Sequence, residues 1–259
     1  MTPDENKFLY ELEERYWWFA GMRKIVAAML DRAMPAGPLR ILDAGCGTGL
    51  MLSWLRRYSA GGPTFGLDYS SEALGFSAQR GERGLVEGSI ADLPFPNACF
   101  DFVTTFDVLD SFEVADVSKP FGELARVLKP GGVILLRVPA FQYLYGRHDR
   151  AVYTKHRYRT SELQERLAAQ GLVVERATYA NTILFPVAAL WRMLTRSVGG
   201  DPQSDVRPLP RAIRWLNPVL AALLGIEAAW LRHTGWRLPF GLSAIAVARK
   251  PKPTGATAS

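Results

Sequence analysis

Two cysteines, Cys46 and Cys99, are all that the 259 residues contain. They stand at no metal-ligand or redox spacing, so no metal site is expected and a cytoplasmic, reducing setting is the natural reading. Long apolar runs are lacking as well. The longest candidate, residues 216–231, is interrupted by Pro218, Gly225 and Glu227 and is too short to cross a bilayer. Residues 1–14 are polar and acidic, which argues against reading them as a secretory signal. Neither sign of charge dominates: a net charge of +6 is modest and does not by itself point to nucleic acid. Internal repeats are absent. What is present is an ordinary globular composition, 48% hydrophobic and 22% charged. The length suits one sizeable domain with additions.

Along the chain, strand-like and helix-like stretches alternate. Residues 5–34 read as helical, with weak breaks at Gly21 and Pro35. Strands are expected at 40–44, 64–68, 85–87, 100–106 and 133–138, and helices at 50–58, 71–80 and 119–128. Lys129-Pro130-Gly131-Gly132 reads as a sharp turn. A long aromatic and basic connection follows, residues 139–159. Then come a helix over 160–170, with Ser161 as its cap and Gly171 as its stop, and a strand over 172–179. A last strand is expected at 243–249. The alternation argues for an α/β fold, a mostly parallel sheet with helices on both faces. About sixty residues separate the last two strands, far beyond usual connections. They read as helices near 184–195 and 212–232, separated by a proline-rich stretch at 201–210. The resulting division is an N-terminal helical lid (1–36), a core (37–180), a helical insertion (181–241), a last core strand (242–249) and a disordered Pro/Gly/Ala/Thr/Ser-rich tail (250–259).

The chemistry-bearing stretch is Asp43-Ala44-Gly45-Cys46-Gly47-Thr48-Gly49, between a strand and a helix. Glycines there permit a tight turn and a close approach of backbone to ligand, and the following helix presents free amides. The second strand ends at Asp68, roughly twenty residues on, where an acid can bind ribose hydroxyls. A dinucleotide fingerprint reads G-x-G-x-x-G; here the spacing is G-x-G-x-G and position 50 is Leu. Asp43 is badly placed beside phosphates and well placed to orient a bound ammonium.

In these residues the chain resembles the class I S-adenosylmethionine-dependent methyltransferases, in particular the broad small-molecule family with a DxGCGTG loop and a later LKPGG turn. The resemblance covers residues 40–138 well and reaches weakly to 179. It implies a Rossmann-like sheet of about seven strands, the last antiparallel. It also implies S-adenosylmethionine as methyl donor, with S-adenosylhomocysteine as product. By the same resemblance, Asp43, Ala44, Gly45, Cys46 and Gly47 wrap the methionine part of the cofactor and Asp68 binds the ribose. Tyr69 lies against the adenine, Ser89 and Ile90 frame it, and Phe106 and Asp107 border the cofactor. Two positions depart from the family pattern. Ser89 replaces the acid that usually meets the adenine amine, and Asp110-Ser111 stands where Glu-His is frequent.

The acceptor side is less legible. Methyl transfer needs a nucleophile in line with the methyl group and a positioned, dry cavity; a base helps when the acceptor is protonated. His148 beside Asp149 is a candidate base with an orienting acid, and the alternative is a solvated basic loop. Tyr143, His156, Arg157 and Tyr158 are candidates for binding the acceptor. Trp18 and Arg23 are further substrate-binding candidates, on a lid over the cofactor or, alternatively, on a helix packed on the sheet. The insertion is rich in Trp and Arg. It suits a peripheral contact of 181–240 with the inner membrane face, a greasy anionic substrate, or a helical subdomain or homodimer interface with its own core. Residues 219–229 are apolar on nearly every side and should be buried. The expected partner is a small-molecule or lipid-like acceptor, with no nucleic acid, since no D-P-P-Y-like run follows the fourth strand. A nicotinamide-dependent oxidoreductase and a non-catalytic cofactor-binding relative or partner subunit are the remaining alternatives.

Overall fold

The computed structural model describes residues 3–31, 33–113, 116–195, 209–235 and 237–253. Its helices and strands follow in the order α1 (Pro3–Leu12), α2 (Trp17–Leu30), β1 (Ile41–Ala44), α3 (Leu50–Leu55), β2 (Thr64–Asp68), α4 (Ser71–Gln79), β3 (Leu85–Glu87) and β4 (Phe100–Phe106). They continue with α5 (Ser118–Val127), β5 (Leu128–Pro139), α6 (Arg147–Ala151), α7 (Thr160–Ala169), β6 (Val173–Ala180), α8 (Phe185–Thr195), α9 (Leu216–Thr234) and β7 (Ser243–Arg249). The seven strands form one sheet in the order β3-β2-β1-β4-β5-β7-β6. Strands β1 to β5 pair in parallel, and β7 runs antiparallel to both β5 and β6. The strand order reverses between β1 and β4, and in open α/β sheets a ligand ordinarily binds beyond the carboxyl ends of the strands at such a point.

Successive side chains of a strand point to opposite faces, so each strand serves two cores. On one face Ile41, Phe102, Val133, Leu135, Ile245 and Val247 pack with Met22, Ile25 and Leu30 of α2 and with Leu224, Ala228 and Leu231 of α9. On the other, Leu42, Val103, Ile134 and Leu136 pack with Phe121 and Leu124 of α5 and Leu163 and Leu167 of α7. Burial on both faces accounts for the run Val133–Leu136 at the centre of β5, which is apolar without alternation.

Four local expectations are corrected. The N-terminal helix breaks between Leu12 and Trp17, and Gly21 lies inside α2. A Cβ at Gly21 would stand 2.3 Å from Leu224 Cδ1, so this glycine admits α9 rather than ending a helix. The 129–132 stretch is absorbed into β5. Phe100 pairs with Leu128 and Phe102 with Val133, so the extra residues bulge out, helped by the positive φ of Gly131. Arg159, not Ser161, stands at the N-cap of α7 and its side chain makes no capping bond; the Tyr179 hydroxyl accepts Thr160 N–H at 3.3 Å instead. Pro218 does not interrupt α9 because it lies in the first turn, where its missing N–H is not needed.

Among its described residues the insertion contains two α-helices, α8 and α9. Residues 219–229, however, are buried on one side only: Leu224, Glu227 and Ala228 face α2 and the sheet, while Val219 and Ile226 are exposed. Glu227 accepts N–H bonds from Asn181 (2.6 Å), Thr182 (2.7 Å) and Ile183 (3.3 Å), tying the segment between β6 and α8 to α9. Among the described residues no helix is long and apolar enough to cross a membrane. Most of the 201–210 stretch, Arg196, Arg207, Trp236 and residues 254–259 of the tail lie outside the described residues.

Candidate functional site

The turn from β1 to α3 is built from backbone. Gly45, Gly47 and Gly49 all have positive φ (87°, 53° and 87°). A Cβ on Gly45 would stand 2.2 Å from Val108 Cγ2, and one on Gly49 would stand 2.3 Å from Ser77 Oγ. At Gly47 it would meet nothing within 4 Å, so the middle of the turn is open. The N–H groups of Gly45 and Cys46 donate to Leu67 O at 2.7 and 2.9 Å. Gly47 N–H donates to Asp68 Oδ2 at 2.8 Å, and Ser70 N–H donates to Asp68 Oδ1 at 3.0 Å. Asp68 therefore joins the glycine turn to the start of α4.

Asp43 is buried beneath this turn. Its Oδ1 accepts the Thr104 hydroxyl at 2.7 Å, while Oδ2 is buried with no hydrogen-bond partner. Burial pushes its carboxyl up to about 7; Asp68 adds to the rise, and Thr104 and Arg137 oppose it. A buried carboxylate oxygen without a partner beside an open glycine turn is a fitting place for a ligand ammonium. The residues present thus fit an S-adenosyl amino acid. Cys46 is a different matter. It is buried with its Sγ against Gly66, 2.8 Å from where a Cβ would stand, and burial raises its thiol pKa. It fills space and is not poised for nucleophilic chemistry.

Around the turn, Ile90 is buried and Tyr69 is exposed. The Ser89 hydroxyl accepts Ala91 N–H at 3.2 Å, a bond within its own turn. Phe106 and Asp107 end β4, with Asp107 in the left-handed region at φ 54°. Arg137, buried in the otherwise apolar β5, donates to Asp107 from Nη2 at 2.5 Å. Its guanidinium lies 4.8 Å from the ring centre of Trp18 and 5.1 Å from that of Phe106. The structure thus brings Trp18, Phe106 and Asp107 together through a residue that sequence reading missed. The visible signal was a lone arginine inside an apolar strand.

A second missed residue is Arg80, at the end of α4. It donates to Thr48 O (3.0 Å), Tyr10 O (2.9 Å) and Glu13 (2.8 Å), and pairs with Glu14. Thr48 also donates to Glu13. This cluster clamps the end of α1 onto the glycine turn. Arg23 lines a cavity of 690 Å³ between α2, α3 and α9, next to Leu50, the first residue beyond the turn.

Beyond β5, the connection is held by side chains. Asp149 is buried and accepts from Arg157 Nη1 (2.5 Å) and Gly146 N–H (2.8 Å). Arg157, also buried, donates from Nε to Ala140 O (2.8 Å). These residues form an internal ion pair, which corrects both the solvated-loop reading and the assignment of Arg157 to the acceptor. His148 is half-buried on α6, and adjacent residues of a helix diverge by about 100°, so Asp149 faces Arg157. Tyr158 is fully buried; its hydroxyl donates to Leu109 O at 3.0 Å and burial raises its pKa. An acceptor-binding role for Tyr158 is therefore corrected to a core role. His156 Nε2 lies 2.9 Å from Glu162, its ring edge-on to Tyr158. Tyr143 is half-exposed and stacks on Phe141 at 5.3 Å. Asp110 accepts the Thr154 hydroxyl at 2.7 Å, and burial, helped by Asp107, pushes its carboxyl up to about 7.

The stretch 42–136, which holds Asp43, the glycine turn, Asp68, Ser89 and Asp107, matches the family model of a methyltransferase domain. These residues belong to the class I S-adenosylmethionine-dependent methyltransferases. Over 136 residues the chain is 35% identical to a demethylmenaquinone methyltransferase of Thermus thermophilus, covering 50% of this chain and 61% of that protein. Over 99 residues it is 38% identical to a fatty-acid O-methyltransferase of Mycolicibacterium smegmatis, covering 37% of this chain and 35% of that protein. A solved S-adenosylmethionine-dependent methyltransferase from Mesorhizobium loti shares the fold, with a TM-score of 0.57 at 18% identity over 89% of this chain and 97% of that one. The chain thus spans about a third to three fifths of the two curated relatives. The methyltransferase domain match ends before the connection after β5 and the helical insertion.

Proposed function

We propose that the chain transfers a methyl group from S-adenosylmethionine to a small, lipid-like acceptor and releases S-adenosylhomocysteine. The observation that carries this reading is the buried, unpartnered Oδ2 of Asp43 beneath an open glycine turn that Asp68 holds in place. The turn lies where strand order reverses, the usual ligand crevice of such sheets. The demethylmenaquinone and fatty-acid relatives support a lipid-like acceptor.

When bound, the cofactor supplies an activated methyl group on a sulfonium. Asp43 would hold its ammonium, the 44–47 backbone would pack along its amino-acid part, and Asp68 would accept the ribose hydroxyls. Tyr69, Ile90 and Ser89 would frame the base, with Phe106 and Asp107 along its edge. Trp18, held by Arg137, would shield this end of the crevice from water. On the acceptor side, Tyr143 and His156 would line the approach. His148 would take a proton where the acceptor is a hydroxyl or protonated amine.

Calorimetry with S-adenosylhomocysteine tests the donor site. Asp68→Ala should weaken binding by about 1–3 kcal/mol, the scale of a charge-assisted hydrogen bond. Unchanged affinity would show that Asp68 does not meet the ligand. A second reading, cofactor binding without turnover, is favoured by two observations: Ser89 is engaged by its own turn and Asp110 by Thr154. Release of labelled methyl to any lipid-like acceptor would dismiss it.

A further inference from the structure

The described part of the insertion turns an apolar side outward. On α8, Val187, Leu190, Trp191 and Leu194 stand at i, i+3, i+4 and i+7 and are 74, 58, 63 and 67% exposed. That spacing ordinarily packs a helix on its core. Here the inner side is made instead by Ala189, which is buried, and Arg192, 4.0 Å from Asp149. On α9, Val219, Ile226 and Trp230 fall within about 40° of one another around the axis. All three are exposed, as is Trp215 just before the helix.

Charge accompanies the α9 stripe. The 690 Å³ cavity between α2, α3 and α9 is lined by Arg23, Lys24, Arg57, Arg232 and His233 and by no acid. Asp31, which is not a lining residue, pairs with Arg232 at 2.6 Å. Arg211, Arg214 and Arg237 are exposed nearby in sequence. Among the described residues of 181–240 the single acid is Glu227, buried on the amides of residues 181–183.

We propose that this face docks on an anionic phospholipid bilayer, with the α8 and α9 stripes in the interface and lipid phosphates drawn to the basic cavity. Outward-facing tryptophan and aliphatic side chains in the same insertion as a basic cavity form the combination that binds lipid interfaces. Charge selects this occupant over a second copy of the chain, because two such faces would bring like charges together. The docking stands apart from methyl transfer, and α8 also packs Phe185 against Phe141, so it would turn the connection after β5 toward lipid.

Vesicle sedimentation, run beside S-adenosylhomocysteine calorimetry on the same samples, separates the two readings. The wild type should bind phosphatidylglycerol–phosphatidylcholine vesicles at least about tenfold more tightly than phosphatidylcholine alone, and less so at high salt. Leu190→Ser with Leu194→Ser should lower vesicle affinity about tenfold or more. Lys24→Glu with Arg57→Glu should erase the preference for anionic lipid. Both pairs alter exposed side chains and should keep the wild-type melting temperature. Absent binding to anionic vesicles, or binding that neither pair changes, overturns the proposal. So does a dimer in light scattering that Leu190→Ser with Leu194→Ser dissolves while vesicles go unbound, since the face would then belong to a second copy.

Discussion

The β1–α3 turn and the connection after β5 both sit at the carboxyl edge of the sheet, yet they are held in different ways. The turn is fixed by main-chain bonds to the neighbouring strand: Gly45 and Cys46 to Leu67, Gly47 to Asp68. That leaves Asp43 with an oxygen to spare. The connection is fixed by side chains reaching across the fold: Arg157 to Asp149, Tyr158 to Leu109, Thr154 to Asp110. Its polar groups are largely spent on one another. A turn built from backbone keeps its side chains for a ligand, whereas a connection built from side chains trades binding groups for shape.

The sharpest test of that contrast is Arg157→Met. It strands Asp149 in the interior and should cost about 3–5 kcal/mol in urea unfolding. Gly47→Ala should cost less, about 1–2 kcal/mol for the left-handed backbone alone, since its Cβ would meet open space. Equal costs would erase the distinction. The next effect compares two acids, Asp43 in the turn and Asp110 by the connection. Both are raised from 3.8 to about 7 in the fold. Between pH ~4 and ~7 the folded state therefore holds protons that the unfolded chain has lost. Stability without ligand should fall as pH rises through that window, by up to about 1.4 kcal/mol per pH unit for each group, and level off above it. S-adenosylhomocysteine should flatten only the Asp43 part, because an ammonium favours its charged form; denaturation curves of Asp43→Asn and Asp110→Asn with and without ligand would show this. The smallest effect is expected from Ser161→Ala, under about 0.5 kcal/mol, since Ser161 does not cap α7.

What could be read from the chain divides along the same line. The β2, β3, β4 and β7 ranges coincide with the expected ones because each strand is bounded by local turn residues. The glycine turn and Asp68 were legible because the chemistry lies in consecutive residues. Arg80 was not, since its partner Glu13 is 67 residues away and nothing local marks the pair. Arg157 and Tyr158 carried the signature of a binding loop, and only the fold shows that they are internal. Periodicity found α8 but not its direction: a stripe at i, i+3, i+4 and i+7 reads the same whether it faces a core or the outside.

Ala180 of β6 pairs with Ser243 of β7, so residues 181–242 leave and rejoin the sheet at one rung of its ladder. Topologically the whole appendage is the loop of a hairpin. Doubling the length of such a loop costs only about 0.6 kcal/mol of closure entropy, so its size is nearly decoupled from the register of the strands. The two splice points are roughly 5 Å apart, the spacing of paired strands. The sheet edge is therefore a socket. Another helical pair could be grafted there, provided it brought apolar cover for α2 in place of Leu224, Ala228 and Leu231.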